Sequence, residues 1–271
     1  IRINPDISAS THRYITTGES HNKFGLDYNA ARWIFLNSGK FPHVHLRGVH
    51  IHIGSQIVGA APFVRAIKTA RDFAVSLKNL GVKIEYLNIG GGLGIIYKAE
   101  RAQTADEYAK AILPVLGSCG LKLIMEPGRF ICGNAGILVT RVAYVKKTTV
   151  KNFIIVDSGM NDLVRPMLYE AYHEIVPLEY QAGARKRFDV VGPICESGDF
   201  FALGRQLVEP KTGDYLAILS AGAYGFTMSG NYNSRPRCSE VMVSGRKHYV
   251  VRKRETKEDL VRGETIPQFL R

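Results

Sequence analysis

Cysteine is sparse and scattered in this sequence: Cys119, Cys132, Cys195 and Cys238 form no CxxC pair and no zinc-finger spacing. That excludes a small disulfide-framed scaffold and favours reduced thiols. Long apolar runs are lacking as well, none approaching the roughly 18 residues that span a bilayer, so no membrane role is expected. The chain opens on Ile1 without a basic, apolar, small-residue signal pattern, and a cytoplasmic location is the expectation. Internal repeats and low-complexity stretches are also missing. Acidic residues are in deficit, 24 against 36 Lys and Arg, for a formal net charge of +12. The basic runs RKR at 185–187 and RKHYVVRKR at 246–254 match no nucleic-acid module and read as exposed strand edges, so nucleic acid is not an expected partner.

What is present is a 271-residue chain with 45% apolar content, enough for one large core or two moderate ones. Up to about Tyr144, short apolar strands alternate with amphipathic helices. IRIN is followed by a helix from about Asp27 to Asn37 and the strand GVHIHIG. A second helix carries Phe63, Ile67, Ala70, Phe73, Leu77 and Leu80 on one stripe and stops at Gly81. After the strand KIEYLNIGGG, a third helix starts at TADE, where Thr104 and Glu107 form a capping-box pattern, and runs to about Gly117. The strand LKLIMEPGR follows, and this rhythm implies parallel strands. Beyond Val145 the texture becomes strand-rich, in NFIIVDS, FDVVGPIC, DYLAILSAGAY, CSEVMVSG and HYVVR, which reads as a second, mostly β domain.

The polar motifs of the first domain fall at strand ends, where open α/β sheets and (β/α)8 barrels bind ligands. His50 and His52, two apart on one strand, share a face and could bind zinc, as in a barrel hydrolase; the Gly54–Ser55 turn beyond them suits a phosphate instead. NIGGGLG at 88–94 is an anion nest or a bare tight turn. It is no dinucleotide fingerprint, because Ile95 stands where the last glycine would be. In MEPGRF, Glu126 needs a cationic or hydrogen-bonding partner, which a protonated pyridine nitrogen or an ion pair with Arg129 could supply.

Later motifs carry similar pairs of readings. Arg165 and Tyr169, four apart, form a carboxylate clamp or a helix-surface pair. Cys195, beside Glu196 in a turn, is a proton donor or a buried inert thiol. Tyr224, in a glycine-flanked turn, could reach a phosphate or simply belong to a loop.

Taken in order, ITTGESHNKFGL (15–26), GVHIHIGSQI (48–57), NIGGGLGI (88–95), EPGRFICGNAG (126–136), DSGMNDLVRPMLYEAYH (157–173), VVGPICESGDF (190–200) and GAYGFTMSGNYNSRPR (222–237) resemble the diaminopimelate decarboxylases. These are pyridoxal-phosphate-dependent enzymes with an alanine-racemase-like barrel. Gly230 and Cys238 depart from the family's usual residues without touching a named role. The resemblance implies an α/β fold: the C-terminal half of a (β/α)8 barrel over residues 1–144, then a β domain over 145–271. It implies pyridoxal 5'-phosphate as cofactor, with His52 stacked on the ring and Glu126 holding the ring nitrogen protonated. Ser55, Gly90, Gly91, Gly92, Arg129 and Tyr224 would surround the phosphate, and the Pro127–Gly128 turn would also bind the cofactor.

For the substrate, meso-diaminopimelate, the resemblance implies that Arg129, Arg165 and Tyr169 grip the distal carboxylate, with Tyr224 nearby. Glu196 and Ser197 would bind its distal ammonium group, and Cys195 would return a proton after carbon dioxide leaves. In the family, the Cys and Glu reach into the partner's active site, which implies a head-to-tail homodimer. The family's Schiff-base lysine lies on an early barrel strand, and no lysine here falls in a matching motif. This stretch alone is therefore expected to be inactive. Alternatives are a decarboxylase of another basic amino acid, such as ornithine or arginine, and a non-catalytic regulatory homologue.

Overall fold

The computed structural model describes residues 1–5, 23–117, 119–180 and 182–271. Most of ITTGESHNKFGL, up to position 22, lies outside the described residues. The chain divides into two compact units, Ile1–Asn134 and Ala135–Arg271.

Local signals set the elements of the first unit. Asp27 caps α1 (Tyr28–Leu36), its carboxylate accepting from the backbone N–H groups of Asn29 and Ala30. After β1 (Gly48–His50), α2 (Ala61–Asn79) buries Phe63, Ala66, Ile67, Ala70, Ala74 and Leu77 on one stripe. It stops where expected, with Gly81 at φ +83 donating its N–H to the Lys78 carbonyl. Leu80, expected on the buried stripe, is exposed because it already lies past the last helical residue. Next come β2 (Tyr86–Asn88) and α3 (Ala105–Leu116), which opens with the reciprocal Thr104–Glu107 capping box and ends at Gly117. β3 (Lys122–Ile124) and the single turn α4 (Gly128–Cys132) complete the unit.

β1, β2 and β3 form a parallel sheet in that order, with Gly48 opposite Tyr86 and Tyr86 opposite Lys122. IRIN runs alongside β1: Ile3 N–H donates to the His50 carbonyl and His50 N–H to that of Ile1. Ile3, Phe35, Val49, Ile51, Phe63, Leu77 and Leu87 are among the buried core residues. The two α-helices between successive strands allow those strands to be parallel, since a parallel pair requires a long crossover.

The second unit contains β4 (Leu138–Lys147), β5 (Asn152–Val156), α5 (Arg165–Tyr169), β6 (Ile175–Pro177), β7 (Arg185–Val191), β8 (Phe200–Val208) and β9 (Tyr215–Ile218). The strands form one sheet in the order β6-β9-β4-β5-β7-β8, antiparallel except for the β5/β7 pair. β10 (Glu240–Ser244) and β11 (Lys247–Arg252) make a separate hairpin, and α6 (Lys257–Val261) follows. The unit is mostly β, as its texture suggested, and its core includes Val142, Ile154, Val156, Phe188, Val190, Phe201 and Ile218.

The domain boundary differs from the expected one at 144/145. β4 crosses that point, alternating exposed Val139 and Arg141 with buried Thr140 and Val142, and pairs with β5 and β9. Those partners place it in the second unit, so the chain divides after Asn134. Of the basic runs, RKR opens β7, where those residues pair with β8 alone, and RKHYVVRKR forms the exposed β11. No helix among the described residues is long and apolar enough to cross a membrane.

Candidate functional site

In the first unit the chemistry gathers at the C-terminal ends of the parallel strands. The glycine turn after β2 packs between the chain leaving β1 and the chain leaving β3. A Cβ on Gly91 would stand 2.1 Å from the Glu126 carbonyl oxygen, and one on Gly92, at φ +95, 2.2 Å from that of Gly54. Only glycine permits that approach. The N–H of Gly90 donates to Asn88 Oδ1 at 2.9 Å, and that of Gly91 to His52 Nδ1 at 3.1 Å. This corrects the anion-nest reading for Gly90 and Gly91, whose donors are engaged within the protein.

Because Nδ1 of His52 accepts a hydrogen bond, the proton of the neutral imidazole sits on Nε2. Burial, reinforced by the nearby Arg2 guanidinium, pushes His52 down to about 4 despite the opposing pull of Glu126. The result is a neutral aromatic face at the strand end. His50, also held low mainly by burial, has Nε2 3.5 Å from Glu126 Oε1, outside hydrogen-bond geometry. Among the described residues, no group of three His, Cys, Asp or Glu side chains is arranged to hold a metal ion.

Glu126 and Arg129 do not pair with each other. The Glu126 carboxylate is 49% exposed and accepts from Asn88 Nδ2 at 2.7 Å. This corrects the Glu126–Arg129 ion pair: within the chain, the partner of the carboxylate is an amide donor. Arg129 is buried, and its Nε and Nη2 donate to Ser55 Oγ at 3.2 and 3.0 Å, while Nη1 donates to the Tyr97 hydroxyl. Pro127 N-caps the turn between them and Gly128 begins it. Asn88, which opens the glycine motif, and Tyr97, three residues beyond it, were given no role from the sequence. Gln56 was also passed over: its amide pairs with both the N–H and the carbonyl of Ile95, tying the Ser55 loop to the glycine turn.

In the second unit Arg165 begins α5 and is buried, and Tyr169 ends the helix half-buried. Arg165 Nη1 lies 2.8 Å from Nε2 of the fully buried His173, which excludes the plain helix-surface pair. Cys195, Glu196 and Ser197 are exposed in their turn, so the buried, inert thiol is corrected to an accessible one. Buried Asp199 shapes that turn by accepting from Met160 N–H and Ile194 N–H, both at 2.6 Å. Burial raises its pKa, with those two donors pulling the other way. Glu196 accepts from the Tyr232 hydroxyl at 2.6 Å, and this bond holds the phenol high.

Loops of the second unit converge. Gly230 N–H donates to the Asn161 carbonyl, Arg235 Nε to Asn161 Oδ1, and Arg235 Nη2 to the Asp157 carbonyl. Tyr224 is 45% exposed with φ +61, a left-handed backbone rare outside glycine. The expected residues thus fall into two sets. His52, Ser55, Gly90, Gly91, Gly92, Glu126, Pro127, Gly128 and Arg129 cluster in the first unit; Arg165, Tyr169, Cys195, Glu196, Ser197 and Tyr224 stand on helix and loops of the second.

Residues 1–133 match the family described as pyridoxal-dependent decarboxylase, pyridoxal binding domain. The diaminopimelate decarboxylase of Vibrio cholerae is 47% identical over 98% of this chain and 64% of its own length. That of Aquifex aeolicus is 47% identical over 96% of this chain and 62% of its own. Among solved structures, Helicobacter pylori diaminopimelate decarboxylase complexed with L-lysine superposes with a TM-score of 0.92 at 43% identity, covering 97% of this chain and 65% of that one. The lysine/ornithine decarboxylase of Vibrio vulnificus, complexed with cadaverine, is more distant, with a TM-score of 0.71 at 26% identity over 79% of this chain and 58% of that one. The chain therefore spans somewhat less than two thirds of the length of these relatives. Over nearly all of its own length, this chain is similar to diaminopimelate decarboxylases, and its residues 1–133 match the pyridoxal-binding domain of pyridoxal-dependent decarboxylases.

Proposed function

We propose that the protein carrying this chain is a pyridoxal 5'-phosphate-dependent carboxy-lyase that converts meso-diaminopimelate to L-lysine and carbon dioxide. The observation that carries this reading is the separation of Glu126 from Arg129. Residues three apart on one turn would pair readily, yet one is held by Asn88 and the other by Ser55 and Tyr97. A carboxylate and a guanidinium kept apart in this way fit the two poles of the cofactor, its ring nitrogen and its phosphate. The neutral face of His52 and the close-packed glycine turn fit the flat ring between them.

When bound, the cofactor supplies an electron sink for the charge left when carbon dioxide departs. Glu126 would keep the ring nitrogen protonated, which deepens that sink. Arg129, with Ser55 and Gly92, would hold the phosphate, joined by Tyr224, and the Gly90–Gly91 and Pro127–Gly128 backbone would border the cofactor. Arg165 and Tyr169, with Arg129, would take the distal carboxylate of the substrate, and Tyr224 would border it. Glu196 and Ser197 would take the distal ammonium, and Cys195, exposed in its turn, would deliver the proton that completes the product.

The same reading makes the first unit half of a (β/α)8 barrel. Among the described residues β3 is an edge strand, and Leu123 and Ile124 within it and Met125 just beyond it are 38–40% exposed, apolar surface that a further strand would cover. It also makes the protein a head-to-tail homodimer, with Cys195 and Glu196 serving the partner's site, and gives it a cytoplasmic setting that suits four free thiols. No lysine here falls in the family's Schiff-base motif, so the 271-residue chain alone is expected not to turn over.

The test is an assay of the full-length protein, loaded with pyridoxal phosphate, on meso-diaminopimelate, ornithine and arginine. Release of carbon dioxide and L-lysine from meso-diaminopimelate alone is expected. Turnover of ornithine or arginine in its place would identify a decarboxylase of another basic amino acid. Cofactor binding without turnover of any substrate would favour the regulatory homologue.

A further inference from the structure

Glu196 is exposed, and the long side chain of an exposed glutamate samples many rotamers. A carboxylate that recognises one particular ammonium group needs something to hold it still. The Tyr232 hydroxyl, 36 positions away along the chain, donates to Glu196 Oε2 at 2.6 Å. A phenol suits this task, because its ring is rigid and loses little freedom when the bond forms. The donor is neutral, so this bond does not cancel the carboxylate's charge. A carboxylate also offers about four lone-pair positions, so accepting from a phenol does not prevent it from accepting from an ammonium.

The loop that carries Tyr232 is tied down on both sides. Before it, Gly230 N–H donates to the Asn161 carbonyl at 2.9 Å, and Asn231 Nδ2 donates to the Arg235 carbonyl at 3.0 Å and to Glu255 Oε2 at 2.6 Å. Glu255 is fixed in turn by Arg237 Nε at 2.7 Å. Beyond it, Arg235 donates to Asn161 Oδ1 and to the Asp157 carbonyl. Asn233 and Ser234 have φ of +59 and +53, left-handed backbone that persists only where the surroundings enforce it. The hydroxyl is therefore presented from a stiff support to a flexible acid.

We propose that Tyr232 is a positioning residue for substrate recognition: its hydroxyl holds the Glu196 carboxylate where it meets the distal ammonium of the substrate. The inference rests on the reading of Glu196 as the ammonium-binding carboxylate.

The test uses the full-length holoenzyme with Tyr232→Phe, Glu196→Ala and the double variant. Decarboxylation removes one carboxylate of meso-diaminopimelate, so L-lysine keeps the distal ammonium and carboxylate together. 2-Aminopimelate has a distal carboxylate and no distal ammonium. Tyr232→Phe should raise KM for meso-diaminopimelate and the inhibition constant of L-lysine roughly fivefold, with kcat within about twofold. Its inhibition constant for 2-aminopimelate should be unchanged. Glu196→Ala should raise the same two constants further, and adding Tyr232→Phe to it should change nothing more, because the bond through which the phenol acts is already gone.

A normal KM in Tyr232→Phe beside a raised KM in Glu196→Ala would overturn the proposal and leave Glu196 as the ammonium site. A normal KM in Glu196→Ala would overturn that reading of Glu196. Equal weakening of 2-aminopimelate and L-lysine in Tyr232→Phe, or additive losses in the double variant, would show that Tyr232 only supports its loop, and would also overturn the proposal.

Discussion

Arg129 reaches 74 residues back along the chain to place its Nε and Nη2 on the single hydroxyl oxygen of Ser55, at 3.2 and 3.0 Å. With Tyr97 on Nη1, the guanidinium plane is held by two hydroxyls. On the proposed reading, such an arrangement would prepare the phosphate site before the cofactor arrives.

Removing either hydroxyl should loosen that preparation. In the full-length protein, Ser55→Ala and Tyr97→Phe should each weaken pyridoxal phosphate binding roughly tenfold, as befits a hydrogen bond to a charged group. Arg129→Ala should weaken it more than either. Titration of the cofactor by absorbance or fluorescence reads the effect, and unchanged affinity in Arg129→Ala would remove Arg129 from the phosphate site.

His52 gives the first unit an acid-sensitive stability. Its pKa is depressed from 6.5 to about 4, chiefly by burial. Between those values the unfolded chain binds the proton and the folded chain does not. Stability should therefore be fully present above pH 6.5 and fall as the pH drops towards 4, by on the order of 2 kcal/mol after solvent screening. His50, depressed by the same main cause, acts with the same sign. Urea midpoints at pH 7 and pH 4.5 should differ less in His52→Gln; an equal difference would show that His52 is not the group responsible.

The glycine turn should tolerate no side chain at its centre. Gly91→Ala drives a methyl carbon to 2.1 Å from the Glu126 carbonyl oxygen, a backbone atom that cannot swing aside. A loss of about 3 kcal/mol or more is expected, together with weaker cofactor binding. Gly39→Ala, with nothing within 4 Å of the new carbon, is the control and should change stability by less than about 0.5 kcal/mol. Denaturant melts of the two variants make the comparison.

Asp199 ties the Cys195 turn to the Met160 loop through two backbone donors. Asp199→Ala leaves both N–H groups without their acceptor and should cost about 2 to 4 kcal/mol. Asp199→Asn, with one acceptor oxygen, should cost less. If Cys195 is the proton donor, both substitutions should lower kcat by displacing its turn. Kinetics on stable protein would show whether kcat falls with Asp199→Asn, and an unchanged kcat would detach that turn from the chemistry.

Helix boundaries were legible because the signals that set them are local. Asp27, Thr104 with Glu107, and Gly81 each act within one turn of their own position, and each stands where the sequence put it. Strands were harder. β4, β6 and β8 were not among the expected segments, and the expected boundary cut through β4, because a strand's partners are distant and its pattern does not name them.

By itself the sequence determined the order of the motifs, the alternation that makes the first sheet parallel, and the chemical kinds available: an imidazole, a carboxylate, guanidinium groups and a thiol. Only the tertiary structure decided who meets whom. Glu126 and Arg129 are three apart along the chain, yet Glu126 is held by Asn88 from 38 positions away and Arg129 by Ser55 from 74. The reason is physical: side-chain pairing follows the packing of neighbouring strand ends, and parallel strands bring together residues that a whole helix separates in sequence.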